Sequence, residues 1–85
     1  MKKHKINKGF IVQKIDGKIT IFDGERSQLI TLNETATFIF ERLKRGLKRE
    51  AIVELVSKKY NTNPERVRKD FDELIKSLKE HKIIS

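Results

Sequence analysis

At 85 residues the chain has material for one hydrophobic core and not two, because a domain of this size buries only about 60 to 65% of the surface its unfolded form exposes. Hydrophobic residues make up 36% and charged residues 38%, which allows a thin core but no deep enclosed cavity and so disfavours a buried active site. The absence of cysteine excludes disulfides, thiolate chemistry and cysteine-ligated zinc, while the formal net charge of +8 favours anionic partners.

The charge is concentrated at the start. Lys2, Lys3, Lys5, Lys8 and Lys14 stand in the first fourteen residues with no acid among them. No apolar run of signal-peptide length follows, and no stretch approaches the ~18 residues of a membrane span. The expectation is a soluble, cytoplasmic protein with no membrane partner, in which residues 1–7 form a flexible basic arm and residues 8–85 a single domain.

Gly9 to Ile15 reads as a first strand and Lys18-Ile19-Thr20-Ile21-Phe22 as a second. Asp16-Gly17 between them supplies the positive φ angles that a tight type I′ hairpin turn requires. Asp23-Gly24-Glu25-Arg26 makes a looser turn, and Ser27-Gln28-Leu29-Ile30-Thr31-Leu32 a third strand, so that strands one and three are the edges of a meander. Asn33 is a good N-cap for a helix running to about Arg45, with Ala36, Ile39, Phe40 and Leu43 on its buried face and Gly46 ending it in the left-handed conformation. A second helix from Arg49 to about Lys59 buries Ile52, Val53 and Val56. Asn61-Thr62-Asn63-Pro64 punctuates the chain, with Asn63 as cap and Pro64 at the first helical position. The third helix extends to about His81 on a stripe of Val67, Phe71, Leu74, Ile75 and Leu78, and Ile83 and Ile84 complete the core. The predicted fold is α+β: a three-stranded antiparallel sheet followed by three helices, winged helix-turn-helix-like.

Catalytic chemistry has no candidate. His4 and His81 lie at opposite ends without a second metal ligand at a useful spacing. Ser27, Ser57 and Ser77 lack the surroundings of a nucleophile, and the glycines spell no phosphate loop. The protein is expected to be no enzyme and to carry neither cofactor nor metal. A winged-helix DNA-binding regulator is the alternative that the basic charge suggests. Against it, the sheet precedes all three helices, and the third helix balances Arg66, Arg68, Lys69, Lys76 and Lys79 with Glu65, Asp70, Asp72, Glu73 and Glu80, so nucleic acid is not expected as a partner. A subunit that dimerises through strand three is another possibility.

The run Leu29-Ile30-Thr31-Leu32-Asn33-Glu34-Thr35-Ala36-Thr37-Phe38-Ile39-Phe40, with Leu43 and Gly46 after it, resembles the PqqD-like family. The resemblance continues through Glu50-Ala51-Ile52-Val53, Tyr60, Val67-Arg68-Lys69-Asp70-Phe71, Leu74, Leu78 and Ile83-Ile84, so it spans Gly9 to Ile84. Members often carry an aromatic where Ile30 stands, a tryptophan where Phe40 stands and a glycine where Lys82 stands.

That resemblance implies a recognition element, or peptide chaperone, of ribosomally made and post-translationally modified peptide pathways. The partners it implies are a precursor leader peptide and a maturation enzyme: a radical SAM enzyme, a lasso-type leader peptidase or another maturase. In such proteins the leader adds as a strand to the edge of strand three and lies between it and helix three. Carried onto this chain, the peptide-binding residues are Ser27, Gln28, Leu29, Ile30 and Thr31, with Ile30 donating from the edge, together with Arg66, Val67, Asp70, Glu73 and Leu74. Helical periodicity puts Arg66, Asp70, Glu73 and Ser77 on one flank of helix three and Arg68, Asp72 and Lys79 on the other. The first flank is expected to face the peptide, although a local salt bridge between Asp70 and Arg66 is an equal alternative.

Overall fold

The computed structural model describes residues 6–84. Positions 1–5 of the expected basic arm, and Ser85, lie outside the described residues. Three strands, β1 (Phe10–Ile15), β2 (Lys18–Asp23) and β3 (Gln28–Thr31), precede three helices, α1 (Glu34–Lys44), α2 (Arg49–Tyr60) and α3 (Pro64–Glu80). The sheet is antiparallel in the order β1-β2-β3.

The hairpin forms as its sequence dictates, with Asp16 and Gly17 at φ 52° and 78°. The second turn differs from expectation. The carboxylate of Asp23 accepts hydrogen bonds from the amides of Glu25 and Arg26 at 3.0 and 3.2 Å, and this local bonding curls the chain through Ser27, which sits at φ 52°. Ser27 is therefore a turn residue and not the first residue of the third strand, which is shortened to four residues.

Alternation along the strands sorts the sheet into two faces. Ile19 and Ile21 of β2 are buried, and Ile30 and Leu32 pack beside them on the same side. Opposite is an outer face on which Ile11, Phe22 and Leu29 are exposed. The inner face meets the helices, whose apolar stripes close the core: Ile39, Phe40 and Leu43 from α1, Ile52, Val53 and Val56 from α2, and Val67, Phe71, Leu74 and Leu78 from α3. Each such large side chain contributes roughly 1.5–3 kcal/mol when fully buried.

Side-chain caps fix the helix starts. Asn33 accepts from the amide of Ala36, and Asn63 from that of Glu65, each at 2.8 Å. The helix ends share one device: a left-handed residue, at Gly46, Asn61 and Lys82 in turn, turns the next amide back onto the last helical carbonyls. Leu47 donates to Arg42, Thr62 to Ser57 and Ile83 to Leu78.

Thr37 joins sheet to helix. Where the β2–β3 ladder would continue past Thr31, Leu32 donates to the carbonyl of Ile19 at 2.8 Å. The amide of Ile19 donates instead to the Thr37 hydroxyl at 2.9 Å, and that hydroxyl approaches the carbonyl of Leu32 at 3.4 Å. The side chain is 3% exposed, so the junction is held from inside.

Ile6 and Asn7 depart from the expected flexible arm. Ile6 forms a β-bridge with Ile84, and Asn7 donates from its backbone to Ile83 at 2.8 Å and from its side chain to Lys82 at 2.7 Å. These bonds tie the last two arm positions to the end of the chain.

Candidate functional site

The register decides which backbone groups of β3 are free. In an antiparallel pair, alternate residues exchange both of their backbone hydrogen bonds with the partner, and the residues between them point both groups the other way. Leu32 is bonded across to Ile19, and Ile30 and Gln28 follow in the same phase opposite Ile21 and Asp23. The amide and carbonyl of Leu29 and of Thr31 therefore point away from β2, to the unpaired edge. On the far side of β2 the bond from Gly24 to Gly9 gives the complementary phase, with even-numbered β2 residues turned to β1 and odd-numbered ones to β3. The expectation that Ile30 donates from the edge is corrected: its amide belongs to the ladder with β2, and its side chain is half-buried against the core.

Beyond the end of β3 the described residues form a groove of about 620 Å³. Its walls come from α1 and α3, and its floor is apolar, with Ala36, Ile39, Val56, Val67 and Leu74. Asn33, which follows β3 by two residues, is one of its lining residues. No Cα of β3 comes within 8 Å of a Cα of α3, which leaves space between the strand edge and the helix.

Arg66, Val67, Asp70, Glu73 and Leu74 are brought together along this groove. Val67 and Leu74 are almost fully buried and present only an edge to it. Ser77 is not part of the lining, and neither are Ser27 to Thr31, of which only Leu29 and Thr31 turn their backbone groups to the free edge. The two flanks of α3 are electrostatically unlike. Arg68 and Asp72 are engaged with α2: the Arg49 guanidinium grips both oxygens of Asp72 at 3.0 and 2.8 Å and reaches Glu50 at 2.8 Å, and Arg68 bonds Glu50 at 3.1 Å. The hydrogen bond from Arg68 holds the Glu50 carboxyl below its usual range, and that from Arg49 does the same for Asp72. The side chains of Arg66, Asp70 and Glu73 form no ion pair or hydrogen bond with any described residue, so the salt bridge between Asp70 and Arg66 is not made. The groove flank thus carries charges without internal partners.

Tyr60 lines the groove and meets Phe38 edge-on, with ring centroids 6.1 Å apart at 84°. The Arg42 guanidinium lies 3.9 Å from the centre of the Phe38 ring, a cation–π contact that holds the ring in place. Burial, reinforced by the nearby Glu34 carboxylate, raises the pKa of the Tyr60 hydroxyl. Phe40, by contrast, is 1% exposed and belongs to the core.

Among the described residues no group of three or more histidine, aspartate or glutamate side chains is placed to hold a metal, and no helix is long and apolar enough to cross a membrane. A strand edge beside an apolar groove can bind an extended peptide through main-chain bonds and side-chain pockets.

Comparison with protein families gives a match over residues 18–84 to the family described as coenzyme PQQ synthesis protein D (PqqD). Comparison with curated proteins gives no match. Among solved structures, a lasso peptide synthetase B1 complexed with its leader peptide superposes with a TM-score of 0.89 at 23% identity, covering 99% of each chain. TbiB1 in complex with the TbiA(beta) leader peptide superposes with a TM-score of 0.83 at 18% identity, covering 95% of this chain and 94% of that one. At those identities the likeness is one of fold.

Proposed function

The chain belongs to the PqqD family, and from that premise we propose that it is a non-catalytic, cytoplasmic domain that binds the leader segment of a ribosomally made precursor peptide and presents it to a separate modifying enzyme. The observation that carries this reading is the pairing of a free β3 edge, with Leu29 and Thr31 turned outward, and a groove whose flank holds unpaired Arg66, Asp70 and Glu73. The two solved structures that share the fold were both determined with leader peptides, which supports the same assignment.

The leader adds as a fourth strand, bonded to the outward groups of Leu29 and Thr31. Its residue opposite Ile30 turns its side chain to the inner side of the sheet, towards Ala36, Ile39 and Leu74. Main-chain bonds supply affinity that does not depend on sequence, and the groove supplies selection. Acceleration of the modifying reaction comes from effective concentration, because one bound domain keeps substrate and enzyme together.

The test is isothermal titration with the leader segments of short precursor peptides encoded beside the gene. The expected affinity is low micromolar, about −8 kcal/mol. Thr31→Pro removes an outward donor at a position where an edge strand tolerates proline, and is expected to abolish binding while the circular dichroism spectrum stays native. Binding of leaders unchanged in that variant overturns the docking mode. Binding of duplex DNA at low salt, with no leader bound, overturns the function.

A further inference from the structure

The outer face of the sheet carries an apolar row that the fold does not use. Ile11, Phe22 and Leu29 stand opposite one another in register across the three strands, at 55%, 37% and 66% exposure. With Gln13 and Thr20 they frame a shallow hollow of about 290 Å³. The chain is 38% charged, yet alternation leaves Lys18 as the one charged strand residue on this face. Leu29 is the most exposed large hydrophobic side chain among the described residues, and it occupies an edge strand, where a bare apolar group invites unwanted pairing unless it has a use.

Area and geometry select the occupant. Three strands at their usual spacing and rise make a face of roughly 15 by 20 Å, on the order of 300 Å². Each partner of a stable dimer contributes about 800 Å², so the face is too small to hold a second copy of the chain. What fits is lateral extension. A peptide bonded to the outward groups of Leu29 places the side chain opposite Leu29 on this same outer face, in either strand direction, because paired residues share a face.

We infer that Leu29 is a specificity-determining residue of the peptide site, reading an apolar side chain on the outward face of the leader so that Ile11, Phe22, Leu29 and the peptide residue form one four-strand row. The inference rests on the docking of a leader along β3. It makes the two surfaces of the site read neighbouring peptide positions: the groove takes the residue opposite Ile30, and the outer row takes the residue opposite Leu29. The leader class recognised is thus one with two consecutive apolar residues in its docking segment, where a strand read on one face only would show apolar and polar residues alternating.

The experiment is selection of a display library of random 16-residue peptides on the immobilised wild-type chain, on Leu29→Lys and on Leu29→Thr, with Thr31→Pro as edge control. Leu29 is outside the core and both replacements suit an exposed edge, so the variants fold, as melting curves will verify. Peptides selected on the wild type are expected to share an adjacent apolar pair. On Leu29→Lys one member of the pair changes to aspartate or glutamate and the other stays apolar. A wild-type-selected peptide titrated into Leu29→Thr loses roughly two- to fivefold in affinity, the worth of one good cross-strand apolar pair. An unchanged consensus on Leu29→Lys, with Thr31→Pro still abolishing capture, overturns the role of Leu29 and leaves edge docking standing. Equal capture by Thr31→Pro overturns edge docking itself, and no enrichment on the wild type overturns both.

Discussion

Replacing Thr37 by valine tests the junction that holds β2 against α1. Valine preserves shape but offers no oxygen, so the Ile19 amide, now bonded to Oγ1 at 2.9 Å, is left without a partner beside a side chain only 3% exposed. Orphaning a buried donor costs about 1–3 kcal/mol; the 3.4 Å approach to Leu32 is long and adds little. An 85-residue domain has roughly 4–13 kcal/mol of stability in total. Each kilocalorie shifts Tm by about 4–8 °C at this size, so a central loss of about 2 kcal/mol lowers Tm by about 8–16 °C. Thr37→Ser keeps the hydroxyl and forfeits one methyl, about 1 kcal/mol. Thermal melts by circular dichroism, with amide exchange of Ile19 followed by NMR, read both effects. The reasoning is refuted if the valine variant melts within 2 °C of wild type, or if serine is the more damaging change.

The phase of the β3 ladder makes Ile30→Pro destabilise by about 1–3 kcal/mol through a lost bond to β2, whereas Thr31→Pro leaves the urea midpoint nearly unchanged; equal losses would place the free groups wrongly. Lys82→Gly relieves a left-handed residue at φ 58° and should stabilise by about 1 kcal/mol, raising Tm by several degrees; no gain would show that the helix end relaxes instead. Glu50 and Asp72 are held below their ordinary 4.5 and 3.8 by hydrogen bonds from Arg68 and Arg49. A depressed carboxylate stabilises fully above its unfolded value and loses that effect as pH falls through its folded value. Urea midpoints of wild type and of E50Q/D72N should therefore differ at neutral pH and converge as pH drops below 3.8; parallel curves would mean that these pairs add nothing to folding.

Much of the fold was legible because local signals agreed with one another. Asp16-Gly17 fixed the hairpin, Asn33 and Asn63-Pro64 fixed two helix starts, and stripes of 3.6-residue period named the residues that form the core. The family's glycine at the position of Lys82 also acquires a reason, since the backbone there is left-handed. Other features depend on partners distant in sequence. Ser27 reads as strand by alternation, and only the Asp23 carboxylate, bonding the amides two and three residues on, pulls it into a turn. Ile30 looked like an edge donor because alternation of side chains says nothing about which amides face the neighbour. That phase emerges only from the bond between Leu32 and Ile19. The flank formed by Arg68 and Asp72 was identified from periodicity, but its engagement with Arg49 and Glu50 required the packing of α2 on α3. Thr37 gave no signal, since a threonine beside an apolar stripe looks like a neutral helix residue.

The bridge between Ile6 and Ile84 bears on how such a domain is carried through larger architectures. Ile6 and Ile84 meet at one place, beyond the start of β1. A linker attached at either end, or the whole unit spliced into a host loop, imposes no separation on its two attachment points.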